Sequence, residues 1–278
     1  MRSRADRSCQ ELSQTLLENP QKASLRIAVL AAHPDDETIG ASSLLARFPS
    51  SAVIYLTDGA PHDSKLWSPE FRGTREEYAS LRRAEAERAL GIAGVSPHQI
   101  YWLGAVDQEA IFSAGDLARN LAETLATLQP DVLITHPYEG GHPDHDSAAL
   151  ISSIAADQLH AEQMPSLVEM TSYHARNCQC VTGEFLNLNA DRNEVCIDLS
   201  AAESERKRNM FSVYASQKLV LSSFGTGPER FRRAPDYDFS RPPHEGKLWY
   251  ECMGWQMTGE QWRVLAAKCM ARREYACH

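Results

Sequence analysis

Residues 25–32 read LRIAVLAA, and the five that follow, 33–37, read HPDDE. A short, almost continuous apolar run suits a strand buried on both faces, as in a parallel sheet covered by helices on each side. The run stops abruptly at a polar cluster. Similar runs recur at 51–57 (SAVIYLT), 100–103 and 131–135 (DVLIT), with helical patterns at about 76–90 and 115–128 between them. Alternating strand and helix predicts an α/β fold with a doubly wound, mostly parallel sheet. Further along, the pattern predicts a helix from about 144 to 160, strand-like segments LVEMTSY (167–173) and EVCIDL (194–199), and helices at about 203–214 and 259–275. Residues 222–246, rich in Gly, Pro, Arg and aromatics, read as a long ordered loop. There is no internal repeat. Residues 1–24 read as a polar extension, and 25–278 as one domain with 161–278 its more variable part.

The 278 residues are 43% hydrophobic and 23% charged, with no low-complexity bias, as in an ordinary globular protein. The formal net charge of -9 and the lack of a dense Lys/Arg run argue against a nucleic-acid partner. No stretch approaches the ~20 apolar residues that span a bilayer, and residues 1–24 lack the apolar core of a signal peptide, so no membrane insertion and a cytoplasmic location are expected. Seven scattered cysteines, without the paired spacings of a zinc ribbon, read as reduced thiols.

In open α/β sheets the ligand crevice lies beyond the carboxyl ends of the strands, where strand order reverses. Two polar clusters fall at such ends: AHPDDE at 32–37, and HPYEGGHPDH at 136–145. Neutral imidazoles and a carboxylate suit Zn²⁺, and a catalytic zinc takes three protein ligands. His33, Asp36 and His145 supply that number, and Fe²⁺ or another divalent ion suits the same donors. Such an ion acidifies water and polarises a carbonyl, the two effects amide hydrolysis needs. Asp35, beside Asp36, is the candidate general base. His142 is the candidate oxyanion stabiliser in its protonated form, with Asp144 placed to orient it or hold its charge. Any one of these residues alone could be a helix cap or a hydrogen-bonded core group. So dense a cluster at two strand ends would be costly to bury without a metal or a catalytic use.

These two clusters resemble the signatures AHPDDE and HPDH of the PIG-L or LmbE-like N-acetyl-sugar deacetylases, which have a Rossmann-like fold. The resemblance implies zinc on His33, Asp36 and His145, Asp35 as base, and His142 assisting the oxyanion. It also implies substrate contacts: Arg82, with Glu85, resembles an R-x-x-E helix whose arginine faces the sugar, and Asp107, in LG-x-x-D, resembles a loop aspartate that contacts sugar hydroxyls. Residues 206–217 (RKRNMFSVYASQ) and 229–232 (ERFR) extend the likeness. Members acting on thiol-sugar conjugates often carry a tyrosine two positions before HPDH, where this chain has Gly140. The loops 61–74 and 222–246 are expected to form the pocket rim.

The leading expectation is a metal-dependent hydrolase that removes the N-acetyl group from an N-acetylglucosamine-type sugar or conjugate, a small-molecule substrate. An amidase acting on a larger acyl group of a thiol-sugar or antibiotic conjugate is the alternative. A non-catalytic nucleotide-binding module is disfavoured, because no G-x-G-x-x-G follows the first strand. A homo-oligomer is compatible with the sequence.

Overall fold

The computed structural model describes residues 25–186 and 194–276; the extension expected at 1–24 lies outside them. In chain order the elements are β1 (Ile27–Ala31), α1 (Asp36–Arg47), β2 (Ala52–Thr57), α2 (Arg75–Ile92), β3 (Ile100–Ala105), α3 (Ala114–Leu128), β4 (Val132–Thr135), α4 (Pro143–Gln158) and β5 (Ser166–Met170). There follow β6 (Tyr173–Arg176), β7 (Gln179–Thr182), β8 (Val195–Ile197), α5 (Ala201–Val213), α6 (Lys218–Leu221), β9 (Glu229–Arg233), α7 (Trp249–Cys252) and α8 (Gly259–Ala276).

Strand β1 is buried throughout because it lies mid-sheet and both its faces are covered. Ile27, Val29 and Ala31 join one apolar cluster with Leu44, Leu45, Leu90 and Met210, while Ala28 and Leu30 join another with Leu121, Leu125, Ile151 and Trp262. That two-sided burial is why the strand reads as a continuous apolar run and not as an alternation. Strand order is β3-β2-β1-β4-β5-β9-β8, with β1–β5 parallel and β9 and β8 antiparallel at one edge. Chain order reverses between β1 and β4. Their carboxyl ends therefore diverge around a crevice.

Three segments differ from the sequence expectation. Helix α1 has no counterpart in it, since Gly40 and the neighbouring Ser and Thr residues are weak helix formers; burial of nearly the whole helix stabilises it instead. The stretch expected as loop at 222–246 contains β9, which pairs with β5 and β8. The segment expected to run as one strand to Tyr173 ends at Met170, and Tyr173 starts a separate two-stranded hairpin, β6–β7. A disulfide, Cys178–Cys252, corrects the reading of reduced thiols. Its partners are 74 residues apart, so no short spacing advertises them. Among the described cysteines, Cys180 and Cys196 are exposed free thiols.

The antiparallel edge is locked to α1 by a buried charge cluster. Glu229 accepts from the hydroxyls of Ser42 and Ser43, both at 2.6 Å, and from Lys207 Nζ at 3.0 Å; Lys207 also donates to the Ile39 carbonyl. Removing one partner of a buried pair strands the other charge. Glu229→Ala is accordingly expected to lower unfolding free energy by about 3–5 kcal/mol, read from urea midpoints. An effect below about 1 kcal/mol, the range of exposed pairs, would show that the cluster is solvated.

Candidate active site

The reversal of strand order brings the loop after β1 and the loop after β4 face to face, and α1 and α4 start from those loops. Asp35 caps α1 with φ 139°, a strained conformation for a residue with a side chain, and is buried. His142 caps α4: its Nδ1 accepts from the Asp144 amide at 3.1 Å, and Pro143 sits in the first turn, where a missing N–H costs nothing. Both caps are functional candidates. Strain and capping here hold side chains at the mouth of the crevice.

Three donor groups converge on Asp36. Its Oδ2 accepts from the His33 amide at 2.9 Å and lies 3.2 Å from His33 Nδ1; its Oδ1 lies 3.2 Å from His145 Nε2. His145 is held from behind, with Nδ1 3.2 Å from Ser172 Oγ, and its buried Nε2 makes no hydrogen bond. An imidazole fixed through one nitrogen, with the other lone pair aimed beside a carboxylate and left unpartnered, is the arrangement of a metal ligand and its outer support. His33 is supported likewise: its Nε2 lies 3.2 Å from both Asp144 Oδ2 and Asp107 Oδ1. The donor set of His33, Asp36 and His145 fits a divalent cation.

A second group, His33, Asp107, His142 and Asp144, also lies within one ion's reach. Three of its members already have protein partners, although Asp107 Oδ1, like His145 Nε2, is buried without a hydrogen bond. Asp144 accepts from the Gln108 and Ala110 amides as well as facing His33, and His142 Nδ1 is engaged by the Asp144 amide. The orphaned nitrogen of His145 favours the first group.

The electrostatics follow from burial and neighbours. Burial would raise the Asp36 carboxyl, but His145 and His136 outweigh it and hold it well below the ordinary range. Asp35, with burial dominant and Arg82 opposing it, is pushed up to about 7. Burial opposes charge on His33, yet Asp107, Asp144 and Asp36 outweigh burial and raise it. Burial, then His33 and His145, lower His142 well below its ordinary value. With Nδ1 accepting from the Asp144 amide, the ring's N–H is on Nε2, so geometry and burial together favour a neutral N–H donor over the expected imidazolium.

Two other expectations meet a different geometry. The Asp144 carboxylate stands 3.9 Å from His142 Nδ1 but 3.2 Å from His33 Nε2, so its closer ring contact is with His33. Arg82 does not open towards a sugar: it is 2% exposed, donates to the Pro34 carbonyl and lies 3.0 Å from Asp35 Oδ2. The adjacent Arg83 is on the outer face, 4.8 Å over the Trp102 ring and paired with Glu87. Asp107 does reach the crevice, 3.7 Å from His142 Nε2. Gly140, at φ 69°, leaves no room for a side chain, since a Cβ there would stand 2.6 Å from Leu248 Cδ2. Leu248 packs against this glycine, so the tyrosine that the resemblance led one to look for has no room here.

Several residues given no role in the sequence reading support the site. His136 accepts from the Ala32 amide at 3.0 Å and stacks on His145 with ring centroids 4.1 Å apart. Glu37 accepts from Tyr214 at 2.6 Å, and Glu85 accepts from the amide and hydroxyl of Ser216, which ties residues 206–217 to the start of α1 and the middle of α2. Arg232 bridges Glu169 and Glu139, bracing the loop of residues 136–145. The insert 61–74 is anchored by Trp67 stacked on Tyr78, 5.2 Å apart, and approaches the Asp107 loop through His62 and Glu109. Of the 222–246 segment, Phe224 reaches the site side, against Tyr173, whereas Tyr237 and Phe239 pack behind it on Tyr138.

Residues 28–156, which carry both polar clusters and all the groups converging on Asp36, match the family PIG-L: GlcNAc-PI de-N-acetylase. Over this span the chain is similar to the PIG-L family. Mycothiol S-conjugate amidase of Streptomyces coelicolor is 27% identical over 172 residues, covering 54% of this chain and 58% of that protein. A 1D-myo-inositol 2-acetamido-2-deoxy-alpha-D-glucopyranoside deacetylase of Thermomonospora curvata is 28% identical, covering 50% and 56%. The chain thus spans little more than half the length of these curated relatives. In three dimensions, N,N'-diacetylchitobiose deacetylase from Pyrococcus horikoshii superposes with TM-score 0.52 at 21% identity, covering 83% of this chain and 91% of that one. The fold similarity therefore extends well beyond the matched span. Among the described residues no helix is long and apolar enough to cross a membrane.

Proposed function

We propose that this protein is a metal-dependent hydrolase that removes the N-acetyl group from an N-acetylglucosamine-type sugar or conjugate. The observation that carries the reading is the unpartnered Nε2 of His145, aimed with His33 Nδ1 at the Asp36 carboxylate, between Asp35 on one side and His142 on the other. His33, Asp36 and His145 would hold the ion, zinc by donor chemistry, with Fe²⁺ suited to the same ligands. Bound there, a divalent ion polarises the acyl carbonyl and makes water a better nucleophile near neutrality.

The chain's own groups do the rest. Asp35, oriented by Arg82, takes the proton of the attacking water and returns it to the departing amine, so acetate and a free amino sugar result. The neutral Nε2–H of His142 donates to the carbonyl oxygen as negative charge develops there. Asp144 and Ser172 act one shell out, fixing the tautomers of His33 and His145. Asp107, at the crevice edge, is placed to accept from a sugar hydroxyl.

The named activities of relatives support this class of chemistry: the Thermomonospora curvata protein is a deacetylase of an acetamido sugar, and the Streptomyces coelicolor protein an amidase. The test pairs metal analysis with a free-amine assay across N-acetyl sugars, their conjugates and analogues with larger acyl groups. Acetate release with one bound ion per chain is expected. A strong preference for an acyl group larger than acetyl would replace the reading by the amidase alternative. His142→Ala is expected to lower kcat by about 10²–10³-fold at unchanged metal content, the usual cost of one oxyanion donor. Unaltered kcat would remove His142 from the chemistry.

A further inference from the structure

Two aromatic side chains flank the candidate ligands, and each comes from a segment outside the main sheet. Tyr173, first residue of β6, lies with its ring 5.1 Å from that of His145. Trp255, three residues after Cys252, lies with its ring 4.9 Å from that of His142. Both rings are half-buried and stand edge-on to the histidines.

The two segments are anchored unequally. The Trp255 side is tied to the loop of residues 136–145 at several points: the Trp249 amide donates to the Gly140 carbonyl at 2.8 Å, and the Tyr250 hydroxyl reaches Asp146. The Tyr173 side is the β6–β7 hairpin, a two-stranded sheet of its own, and such ribbons are marginal without further support. Its base rests on Gly141, where a Cβ would collide with the Tyr173 carbonyl oxygen. Its tip is a two-residue turn, Asn177 and Cys178, with φ 54° and 55°. Asn–Gly is the favoured pair in such a turn, because any side chain on the second residue is strained. A cysteine stands there instead, and it is bonded to Cys252. Of all the hairpin's attachments, this is the covalent one, and it runs to the segment that carries the opposite aromatic wall.

We propose that the Cys178–Cys252 disulfide is a clamp across the mouth of the site. It holds Tyr173, beside His145, and Trp255, beside His142, at one entrance. The clamp sets the width of the entrance that a sugar substrate must enter, so its loss weakens substrate binding more than it slows the chemical step. Cys180 is a free thiol two residues beyond Cys178, and the protein around it pushes its thiol up, which disfavours the thiolate that exchange with the bond needs. Opening the clamp needs an external reductant such as dithiothreitol, which supplies two electrons and two protons and leaves as its own cyclic disulfide.

The test uses the whole protein. Peptide mapping without reductant is expected to recover the Cys178 and Cys252 peptides as one linked species. Treatment with dithiothreitol should then speed amide hydrogen exchange across residues 173–182 by about tenfold or more, with α3 and α4 unchanged. The kinetic arm rests on the proposed deacetylase reading and uses the best substrate of the free-amine screen. There, Cys178→Ser, Cys252→Ser and the reduced wild type should each raise KM by about three- to tenfold and keep kcat within about twofold, while Cys180→Ser changes neither. Free thiols at both positions in the untreated protein, exchange in the hairpin that ignores reduction, or a kcat loss with unchanged KM would each overturn the clamp. The mapping and exchange arms need no substrate, so failure of the clamp is separable from failure of the deacetylase reading.

Discussion

An Asp35→Ala enzyme is expected to retain one divalent ion per chain and to turn over about 10²–10⁴-fold more slowly, the usual range for loss of a general base. Asp35 is adjacent in sequence to a proposed ligand, yet its side chain does not join the donors on Asp36; it turns to Arg82, 3.0 Å away. The substitution therefore takes away a proton acceptor and leaves the three ligand side chains in place. One structural complication is built in. The residue has φ 139°, where any side chain is strained by about 1–3 kcal/mol, and the aspartate tolerates it with the Arg82 contact. Asp35→Asn keeps that shape and an oxygen for Arg82 but is a far poorer base, so it should match the alanine variant in turnover and exceed it in thermal stability. Equal loss of metal in the Asp35 and Asp36 variants would dissolve the division of labour between these neighbours.

The middle of the central sheet is readable in the sequence because β1, β2 and β4 are buried throughout, which demands continuous apolar runs such as 25–32 and 131–135. Elements whose stability comes from tertiary partners are not readable in this way. Helix α1 is a weak helix former held by burial, and β9 hides in a segment whose Gly, Pro and Arg content describes a loop, although Glu229 and Arg232 are there to meet Lys207 and Glu169. The β6–β7 hairpin carries no Asn–Gly at its turn. What marks the turn is a bond to a cysteine 74 residues away.

Within the site, the cluster of residues is legible and their pairing is not. Sequence places His33, Asp35, Asp36, His142, Asp144 and His145 at two strand ends, and the fold brings those ends together. It cannot tell which carboxylate serves which ring. Adjacency in the chain suggests that Asp144 serves His142, but helix geometry turns the Asp144 carboxylate to His33 while its amide is what engages His142. The same limit applies to Arg82. Helical periodicity leaves open whether Arg82 or Arg83 faces inward, and only packing against Gly59 and Pro34 decides it. Ser172 has no signal at all, being one hydroxyl in a strand-like stretch.

Asp36→Ala should have the largest effect of any single substitution: loss of the ion, and with it turnover at background, a deficit larger than the about 10²–10³-fold cost of a single oxyanion donor. Its two oxygens are what His33 and His145 both face, and His136 stands 3.5 Å from Oδ2. Without the carboxylate, the first donor group keeps only imidazoles, and none of its remaining ligands carries a charge to offset the ion's lost hydration. A graded series separates ligand from support. Ser172→Ala leaves His145 Nε2 in place but frees its ring, so metal affinity should fall by about 10–100-fold, the usual cost of an outer-shell contact. Metal content after gel filtration in the presence of a weak chelator reads both variants. An Asp36→Ala protein that still carries one ion per chain would move the ion to the other donor group, on Asp107, His142 and Asp144, and His145 would then need another reason for its unpartnered nitrogen.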